Sequence, residues 1–505
     1  MIDHLDVASL RIADGFFLAR ADRKGSPRWR ASNGRAVFTR PNQEASLRDA
    51  LYELVDSAQR KIFVCSFLLD DPGLVTRLCR KAHELRGSVY VVTALKDEWV
   101  AAAFSDGDES PAQPTKHLVE PLVQAGVQVR GCEDAHAKFA VADDKVALIS
   151  TANFDQRGLI ATGEAGLKVF DPQEVLRLAR FFSRLWLSRC GLEMPHDRSG
   201  RFTAKVVKRP AKTPSVPVAP TTDCGRIIWT DSQEHLIAEA IASTADTARR
   251  ELLVCTYDVR GIERLSDHVL GPLKRAVDRG VRVQLLTRIR NPRRTSRESL
   301  RRLALIGVEL RGDSTNHAKF VVADRASGAL FSANLDADHG LTSGIETGVA
   351  VTGDEAAALC GYFDEAFNDF ASAPFVDSPT HEDVNRYLRA RFRRPWEEGR
   401  GLQVRSSTEL WELFRNAAAC GDPVLFEDSG TDLRLHAGTD VFLMTFADGT
   451  LSRATGKRAA RREQRSGLTL DHWLTERVDP ETPRGVFSGS VRLIEAVEQQ
   501  AKRPR

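Results

Sequence analysis

The sequence predicts an α/β protein made of two similar lobes, followed by a smaller module. Three observations predict this. The run His136-Ala-Lys-Phe returns letter for letter at His317, the strands and helices expected around the two runs match in order, and the match ends near Pro374. Strands that alternate with helices indicate a mostly parallel or mixed sheet. We therefore expect two α/β lobes that face each other about a pseudo-twofold axis.

The lobes are assigned from pairs of matching apolar segments. Each lobe opens with a strand and a helix, continues with further strands, and closes with a helix that follows the motif. In order, the pairs are strands at Ala36 and Ile227, helices from Ser46 to Gln59 and from His235 to Ala248, strands from Ile62 to Phe67 and from Leu252 to Tyr257, strands at Val89 and Val283, strands after Ala125 and Ile306, and helices from Gln173 to Leu187 and from Glu355 to Phe370.

Five segments follow from this repeat and from composition. A stretch rich in Pro and Lys separates the lobes and is typical of an extended linker. Short apolar runs at Val424 and Val441, set among turn formers, indicate a small α+β module of unknown role. The segments are an N-terminal segment (1–34), the first lobe (35–194), the linker (195–222), the second lobe (223–373) and the C-terminal module (374–505).

Polar residues follow each run at one spacing. Four residues separate Lys from Asp and nine separate Asp from Asn in both copies, and a Glu follows. A set of five polar residue types that occurs twice indicates one active site built from two halves. The candidate catalytic residues are His136, Lys138, Asp143, Asn153 and Glu164 in the first copy, and His317, Lys319, Asp324, Asn334 and Glu346 in the second.

These positions resemble the signature of the phospholipase D superfamily, H-x-K-x4-D-x6-G-S-x-N with a Glu further on. Both copies match at His, Lys, Asp, Asn and Glu, but Ser150 and Phe331 stand in the Gly position. Thr151 replaces the signature Ser in the first copy and keeps its hydroxyl, whereas the second copy has Ser332. The resemblance implies two phospholipase D-like lobes and a metal-independent phosphodiesterase.

The residue types by themselves favour an anionic substrate. Strand alternation would put His136 and Lys138 on one face and Phe139 on the other, and two cations side by side require an anion nearby. Donors from Lys, Asn and a hydroxyl suit phosphodiester oxygens. Clustered carboxylates for Mg²⁺ or Ca²⁺ are lacking and the histidines are too separated for zinc, so we expect no metal and no other cofactor.

A pair of imidazoles can divide the displacement into two steps, in which one attacks phosphorus and the other protonates the departing oxygen. The two copies are symmetric in sequence, and the resemblance assigns the attack to His136 and the acid and base role to His317. It further implies that the Lys and Asn residues hold phosphoryl oxygens. Glu164 and Glu346 would each orient an imidazole, and the two Asp residues would support the Lys and the local turn.

Bulk charge does not select a partner, because 72 Lys and Arg face 69 Asp and Glu. The first residues lack a signal-peptide pattern and no apolar stretch reaches the length of a membrane span, so we expect a cytoplasmic protein. The eight Cys are scattered without a CxxC pair, which fits a reducing compartment and indicates neither a disulfide framework nor a zinc site.

Local charge says more about the substrate. Arginines from Arg288 to Arg297 follow a strand of the second lobe, where the first lobe carries the acidic segment from Asp106 to Pro114, and they would form a basic rim beside the site. Two further basic clusters run from Arg386 to Trp396 and from Arg453 to Arg465, and these favour nucleic acid. The expected substrate-binding residues are Thr151, Ser332, Arg288, Arg290, Arg293 and Arg294.

Three functions remain open. The first is an intracellular nuclease that cleaves DNA or RNA through a phosphohistidine. The second is a phospholipase D or phosphatidyltransferase that acts on phospholipids. The third is a catalytically silent scaffold that binds nucleic acid in a defence or repair complex and meets partner proteins through the C-terminal module. The sequence does not decide between DNA and RNA, between single and double strands, between hydrolysis and transfer, or the oligomeric state.

Overall fold

The computed structural model falls into two compact units. It describes residues 15–18, 34–41, 43–95, 115–132, 134–196, 206–208, 225–289, 294–369 and 372–379, and the backbone of five strands between residues 402 and 453. One unit comprises Gly25–Arg288 and Ile306–Ser372 and holds both lobes except for residues 289–305 and 373 of the second; the other comprises Met1–Lys24, Ile289–Leu305 and Ala373–Arg505. Strand β1 (Phe16–Phe17) belongs to the second of these units.

The first lobe is built on a nine-stranded mixed sheet in the order β10-β9-β5-β4-β3-β6-β7-β8-β2. Its central strand pairs in parallel with β4 and antiparallel with β6, so that a parallel half and an antiparallel half meet at β3. The elements are β2 (Ala36–Thr39), α1 (Ser46–Ser57), β3 (Ile62–Cys65), α2 (Pro72–Glu84), β4 (Val89–Thr93), α3 (Thr115–Gln124), β5 (Gln128–Gly131), β6 (Phe139–Ala142), β7 (Val146–Ser150), α4 (Gln156–Ile160), β8 (Glu164–Val169), α5 (Pro172–Arg184), a π-helical turn (Leu185–Arg189), β9 (Leu192–Glu193) and β10 (Val207–Lys208).

The second lobe repeats this sheet, with β15-β14-β12-β16-β17-β19-β11 in the same relative order. Short strands β13 and β18 pair in parallel beside it. The elements are β11 (Ile227–Thr230), α6 (Leu236–Thr247), β12 (Glu251–Cys255), β13 (Val259–Arg260), a 3-10 turn (Ile262–Leu265), a π-helical turn (Ser266–Leu270), α7 (Gly271–Asp278), β14 (Arg282–Arg288), β15 (Glu309–Asp313), β16 (Phe320–Ala323), β17 (Ser327–Phe331), β18 (Leu335–Asp336), β19 (Glu346–Thr352) and α9 (Asp354–Asn368).

The two lobes share one hydrophobic core. Each closing helix packs against the other lobe: Phe181 of α5 stacks on Trp229 of β11 at 5.3 Å between ring centroids, and Tyr362 of α9 stacks on Phe38 of β2 at 5.5 Å. All four side chains are buried. The reciprocal contacts have the form expected of a pseudo-twofold relation, and the expected α/β fold with two lobes is confirmed.

Ion pairs accompany these ring contacts. Arg40 at the end of β2 lies 3.7 Å from Asp313 of the second lobe, and both side chains are less than a tenth exposed. On the other side Arg184 of α5 pairs with Asp231, which follows β11. Because burial removes the solvent that would screen these charges, each pair specifies how the lobes meet.

In the other unit, the described residues form two sets of strands and one helix. Strand β1 pairs antiparallel with β20 (Ala373–Val376), and a five-stranded antiparallel sheet has the order β21-β25-β24-β23-β22. The short strands expected at Val424 and Val441 correspond to β22 and β24. The bounds are α8 (Arg294–Leu305), β21 (Leu402–Gln403), β22 (Val424–Asp428), β23 (Asp432–Ala437), β24 (Asp440–Thr445) and β25 (Thr450–Arg453).

The expectation of an extended linker at residues 195–222 meets the structure only in part. Val207–Lys208 pairs antiparallel with β9, so part of the expected linker extends the sheet of the first lobe; most of the remaining linker, like most of residues 1–34, lies outside the described residues. Within the described part of the chain, no helix combines the length and the apolar character needed to cross a membrane.

Candidate active site

Backbone pairing between the lobes builds the site. Ala135, just before the first motif histidine, bridges Ile345 just before the second-lobe glutamate, and Asn316 bridges Gly163 in the mirrored position. The amide of the first histidine donates to the Ile345 carbonyl at 2.9 Å, and that of the second donates to the Gly163 carbonyl at 2.8 Å. Each histidine therefore begins its motif beside the glutamate strand of the opposite lobe.

The glutamates are exchanged between the lobes. Nδ1 of His136 lies 2.8 Å from Oε1 of Glu346, and Nδ1 of His317 lies 2.7 Å from Oε1 of Glu164. Both carboxylates are 1% exposed. A carboxylate at Nδ1 selects the tautomer that carries its proton there, which leaves Nε2 available for chemistry.

Both glutamates stay ionised. Burial raises the pKa of Glu164 and of Glu346, but the charge of the imidazole that each contacts, together with its hydrogen bond and the nearby motif lysine, lowers the pKa overall. An ionised carboxylate at Nδ1 fixes the tautomer and the orientation of the imidazole ring that it contacts.

The motif hydroxyls hold the glutamates. Thr151 Oγ1 donates to Oε2 of Glu164 at 2.6 Å, and Ser332 Oγ donates to Oε2 of Glu346. Each hydroxyl oxygen also accepts the amide N–H that follows its glutamate, at 3.0 Å in both copies. The expectation that Thr151 and Ser332 bind substrate is corrected, because both hydroxyls are fully buried and already bonded.

The motif lysines are completely buried. Nζ of Lys138 donates to the carbonyl of His136 at 2.5 Å, and Nζ of Lys319 donates to the carbonyl of His317 at 2.6 Å. The strands begin only at the following Phe, so the expectation that each His and Lys share the face of a strand is corrected. The first three residues of each motif leave the strand because the amide of each histidine is hydrogen-bonded to the opposite lobe.

Lys319 also approaches its histidine from the side, with Nζ 3.0 Å from Nδ1 of His317. Since the Nδ1 proton is directed to Glu164, the Lys319 ammonium places its positive charge beside the ring without a second hydrogen bond to Nδ1. In the described part of the site, two buried ammonium groups thus stand beside two buried carboxylates.

The two motif asparagines have the same unusual feature. Asn153 follows β7 and Asn334 follows β17, at equivalent places in the two lobes. The side-chain Oδ1 of each is buried and has no hydrogen-bond partner among the described residues. Leaving a buried acceptor without a donor costs about 1–3 kcal/mol, so its occurrence at both equivalent positions marks a place where a ligand group or water would bind.

The motif aspartates act at the far ends of their strands. The carboxylate of Asp143 accepts three backbone N–H groups, from residues 59, 60 and 61, at 2.6, 2.7 and 2.9 Å. Asp324 does the same for residues 249–251 at 2.9, 2.7 and 3.0 Å. Burial raises both pKa values, but these amides lower them overall.

Both aspartates also adopt the left-handed backbone conformation of their turns, with φ of 54° and 50°. They support the turn, as expected. The expected support of the lysines is corrected, because a strand of four residues separates each Asp from its Lys.

The surroundings of the two imidazoles differ. The ring of Tyr257 meets His317 edge-on at 4.5 Å between centroids, and Phe67 lies 5.6 Å from His136. The side chain of His136 is 21% exposed, against 7% for His317. Arg288 is half-buried with its guanidinium 5.5 Å from the Tyr257 ring centroid, which adds positive charge on the second-lobe side.

The expected basic rim is only partly described. Arg288 lies near the site, but Arg297 is fully buried with its guanidinium 4.7 Å from the ring centroid of Phe16. Its inclusion in an exposed rim is therefore corrected. Arg294 opens α8, whereas Arg290, Arg293, the acidic segment at Asp106, the cluster at Arg386 and most of the cluster after Arg453 lie outside the described residues.

Potential metal ligands do not cluster in the described part of the chain. No group of three or more His, Cys, Asp or Glu side chains there is placed to hold a metal ion.

The fold and the doubled motif define a phosphodiesterase-type enzyme, and comparison with known proteins agrees. The family model described as cardiolipin synthase, PLD-like domain, matches residues 51–186 and 241–369. This is more than half of the chain and includes both motifs. The chain therefore belongs to this family of the phospholipase D superfamily, and the resemblance inferred from the motifs is confirmed. No curated protein matches the sequence.

Several solved structures are similar. Phosphatidylserine synthase from Haemophilus influenzae is 14% identical, with 76% of this chain and 96% of that chain covered and a TM-score of 0.47. The phospholipase D family member Nuc from Salmonella typhimurium is 14% identical over 30% of this chain and 91% of its own, with a TM-score of 0.25. Polyphosphate kinase from Porphyromonas gingivalis is 16% identical over 63% and 47%, with a TM-score of 0.38.

Proposed function

We propose that this protein is a metal-independent phosphodiesterase that forms a phosphohistidine and cleaves nucleic acid. The observation that carries the proposal is the exchange of glutamates, which holds both motif histidines in one tautomer at the junction of the lobes. A nucleophile and an acid, each oriented by a carboxylate, are what a two-step displacement needs.

In the first step, Nε2 of neutral His136 attacks phosphorus, and the bond from phosphorus to the leaving oxygen breaks. Protonated His317 gives its Nε2 proton to that oxygen. His136 takes the nucleophile role because the family assigns it to the first copy and because its side chain is the more exposed of the two.

In the second step, His317 removes a proton from water, the hydroxide attacks phosphorus and the bond from phosphorus to Nε2 breaks. His136 is released neutral and His317 again carries a proton. Lys138 and Lys319 stabilise the negative charge that develops on the phosphoryl oxygens. The amide groups of Asn153 and Asn334 complete the pocket for these oxygens.

Nucleic acid is the substrate favoured by local charge. Arg288 places a guanidinium on the second-lobe side of the site. Arg290, Arg293 and Arg294 follow it in the sequence. A polyanionic strand gains from several such contacts at once, because each neutralises a phosphate. A cytoplasmic location accords with this substrate and stays a prediction.

The test incubates purified protein, in EDTA, with labelled single- and double-stranded DNA, with RNA and with phospholipid vesicles. We expect cleavage of nucleic acid that EDTA does not abolish and that His136→Ala and His317→Ala each abolish. The variant Lys274→Gln, which changes a surface lysine, is the control and should keep the wild-type activity. Loss of activity in EDTA would contradict the metal-independent step, and cleavage of lipid alone would contradict the choice of substrate.

A second candidate is phosphatidyl transfer, because the matching family is described as cardiolipin synthase. It predicts that vesicles containing phosphatidylglycerol yield a new diphosphatidyl product while nucleic acid remains intact. The scaffold hypothesis predicts a third outcome, in which the wild-type protein binds nucleic acid without cutting it and both histidine variants bind equally well.

A further inference from the structure

A cavity lies in the first lobe, away from the histidines. It has a volume of about 420 Å³ and opens where β3 and β4 begin and where α5 ends. Its wall combines four aromatic rings, two cations and two serines. The lining residues are Arg60, Lys61, Phe63, Ser88, Tyr90, Phe182, Ser183, Trp186 and Leu187.

The rings form a continuous wall. Phe63 stacks on Phe182 at 4.6 Å and meets Tyr90 edge-on at 5.7 Å, while Trp186 meets Tyr90 at 5.4 Å and stacks on Phe182 at 5.9 Å. Phe182 is buried, whereas the other three are half-buried and keep part of their surface in the cavity. Such a wall offers a ring face or edge to a planar ligand.

Two cations lie at the rim of the cavity. Nζ of Lys61 and the guanidinium of Arg60 lie 2.8 and 3.6 Å from one carboxylate, that of Asp144. The carboxylate of Asp143 also lies beside these two residues and accepts their amides, but the side chain of Arg60 is 66% exposed. The exposed guanidinium of Arg60 can therefore accept a further anionic group, with Ser88 as a neighbouring hydroxyl donor.

The second lobe shows that the fold does not require this arrangement. By strand register, Leu253 and Gln284 take the places of Phe63 and Tyr90. Arg325 takes the place of Asp144.

In the second lobe, Arg325 forms ion pairs at the place that corresponds to the rim of the cavity. Arg325 lies 2.6 Å from Glu251 and 2.6 Å from Asp364, which are the counterparts of Lys61 and Ser183. The rings of Phe182 and Trp186 have stacked counterparts in Phe363 and Phe367, whereas Phe63 and Tyr90 occur in the first lobe only.

We propose that this cavity is an accessory site for a nucleotide, with the base against the aromatic wall and the phosphate at Lys61 and Arg60. It is separate from the catalytic site, since Phe67 beside His136 and Lys61 at the rim lie at opposite ends of β3, about 20 Å apart by strand length. The nucleotide can be free or can be an unpaired member of a strand, because both present the same base and phosphate.

The site can be tested by calorimetric titration of the full-length protein with adenosine 5′-monophosphate. The variant Phe63→Leu with Tyr90→Gln installs the second-lobe residues and is expected to weaken binding about tenfold, because base stacking on aromatic rings is lost. Lys61→Gln removes the phosphate contact and should weaken it similarly. Asp144→Asn removes the competing anion and should tighten it, while Lys274→Gln on α7 should have no effect.

Two further ligands separate the contributions: adenosine lacks the phosphate and ribose 5-phosphate lacks the base, so each should bind more weakly than the nucleotide. A short oligoadenylate distinguishes the sources. If it binds more tightly than the mononucleotide, and the double variant loses that gain, the site holds a strand; equal affinity indicates a free nucleotide.

The binding measurement needs no turnover, so it stands apart from the proposed cleavage activity. Absence of binding by the wild-type protein would overturn the proposal. So would affinities that the double variant and Lys61→Gln leave unchanged, since the nucleotide would then occupy another site. Lys61→Gln keeps the test open if the double variant does not fold, as judged by its thermal midpoint.

Discussion

Glu346 of the second lobe accepts a hydrogen bond from Nδ1 of His136 in the first lobe, 210 residues away in the chain, at 2.8 Å. The mirrored pair joins Glu164 to His317 at 2.7 Å. A lobe by itself therefore contains a histidine without its carboxylate and a carboxylate without its histidine. Packing of the two lobes is what completes each half of the site.

Exchange of the glutamates predicts crossed kinetic defects. Glu346→Gln removes the charge that orients the nucleophile His136, so it should slow formation of the phosphohistidine, whereas Glu164→Gln acts through the acid and base His317 and should slow both formation and hydrolysis of the phosphohistidine. We expect each to lose between about tenfold and 10⁴-fold in rate, the range found for carboxylates that orient a histidine. Single-turnover quenching with a radiolabelled substrate separates the steps, with the surface variant Glu84→Gln as control. The opposite assignment of defects would contradict the exchange.

The acid role of His317 predicts a dependence on the leaving group. His317→Ala should be nearly inactive on a nucleotide ester, whose alkoxide needs a proton to depart, but should retain phosphohistidine formation with a nitrophenyl ester, whose phenolate departs unaided. His136→Ala should be inactive on both, because it lacks the nucleophile. Comparison of initial bursts on the two esters measures this. Equal rescue of both variants would remove the distinction between the histidines.

Replacement of Asp143 by Asn should destabilise the first lobe. Its carboxylate accepts three backbone amides that an amide side chain cannot satisfy equally, and hydrogen bonds to a charged group contribute about 1.5–3 kcal/mol. Chemical denaturation measures the change in the free energy of unfolding. The neighbouring variant Asp144→Asn is the control, since it loses only partly exposed ion pairs worth about 0–1 kcal/mol. Equal losses in the two variants would contradict this role.

Stability should fall in acid through the buried glutamates. For both, burial raises the pKa, but the imidazole charge and hydrogen bond lower it below its ordinary value of 4.5. A carboxyl whose pKa is depressed by folding contributes stability that is complete above its unfolded pKa and is lost as the pH falls through the folded pKa. Denaturation at a series of pH values should show this loss below about pH 4.5, with a shallower slope in Glu346→Gln. An unchanged slope would contradict the depressed pKa.

The ion pair between Arg40 and Asp313 should couple the lobes. Arg40→Met leaves the Asp313 carboxylate buried without its cation, and loss of one partner from a buried pair costs about 3–5 kcal/mol. Asp313 also accepts the amide and hydroxyl of Thr315 at 2.7 and 2.9 Å, and the Thr315 carbonyl accepts the amide of Gly163 beside the site. In a double-mutant cycle with Asp313→Leu, the double variant should lose less free energy of unfolding than the two single variants lose together. Additive losses would show that the pair is not coupled.

Much of the fold could be predicted because its signals are local. The segments expected as α1, α6 and β4 lie within a few residues of the observed elements, since apolar periodicity reports the face that each element buries. The strand ends were less accurate: β6 and β16 begin after the motif lysines. Backbone bonds to the opposite lobe draw the histidines out of the strand, and a local pattern contains no record of such a bond.

The sequence by itself determined the class of this protein: the repeated His, Lys, Asp, Asn and Glu, at one spacing, established the superfamily and the two-lobed α/β fold. Tertiary structure alone decided which glutamate serves which histidine, that Thr151 and Ser332 hold carboxylates, and that Arg297 is buried. The physical reason is that spacing along the chain records residue types and strand register. Hydrogen-bond partners at the junction are chosen by how the lobes pack, which brings together groups some 150 to 210 residues apart.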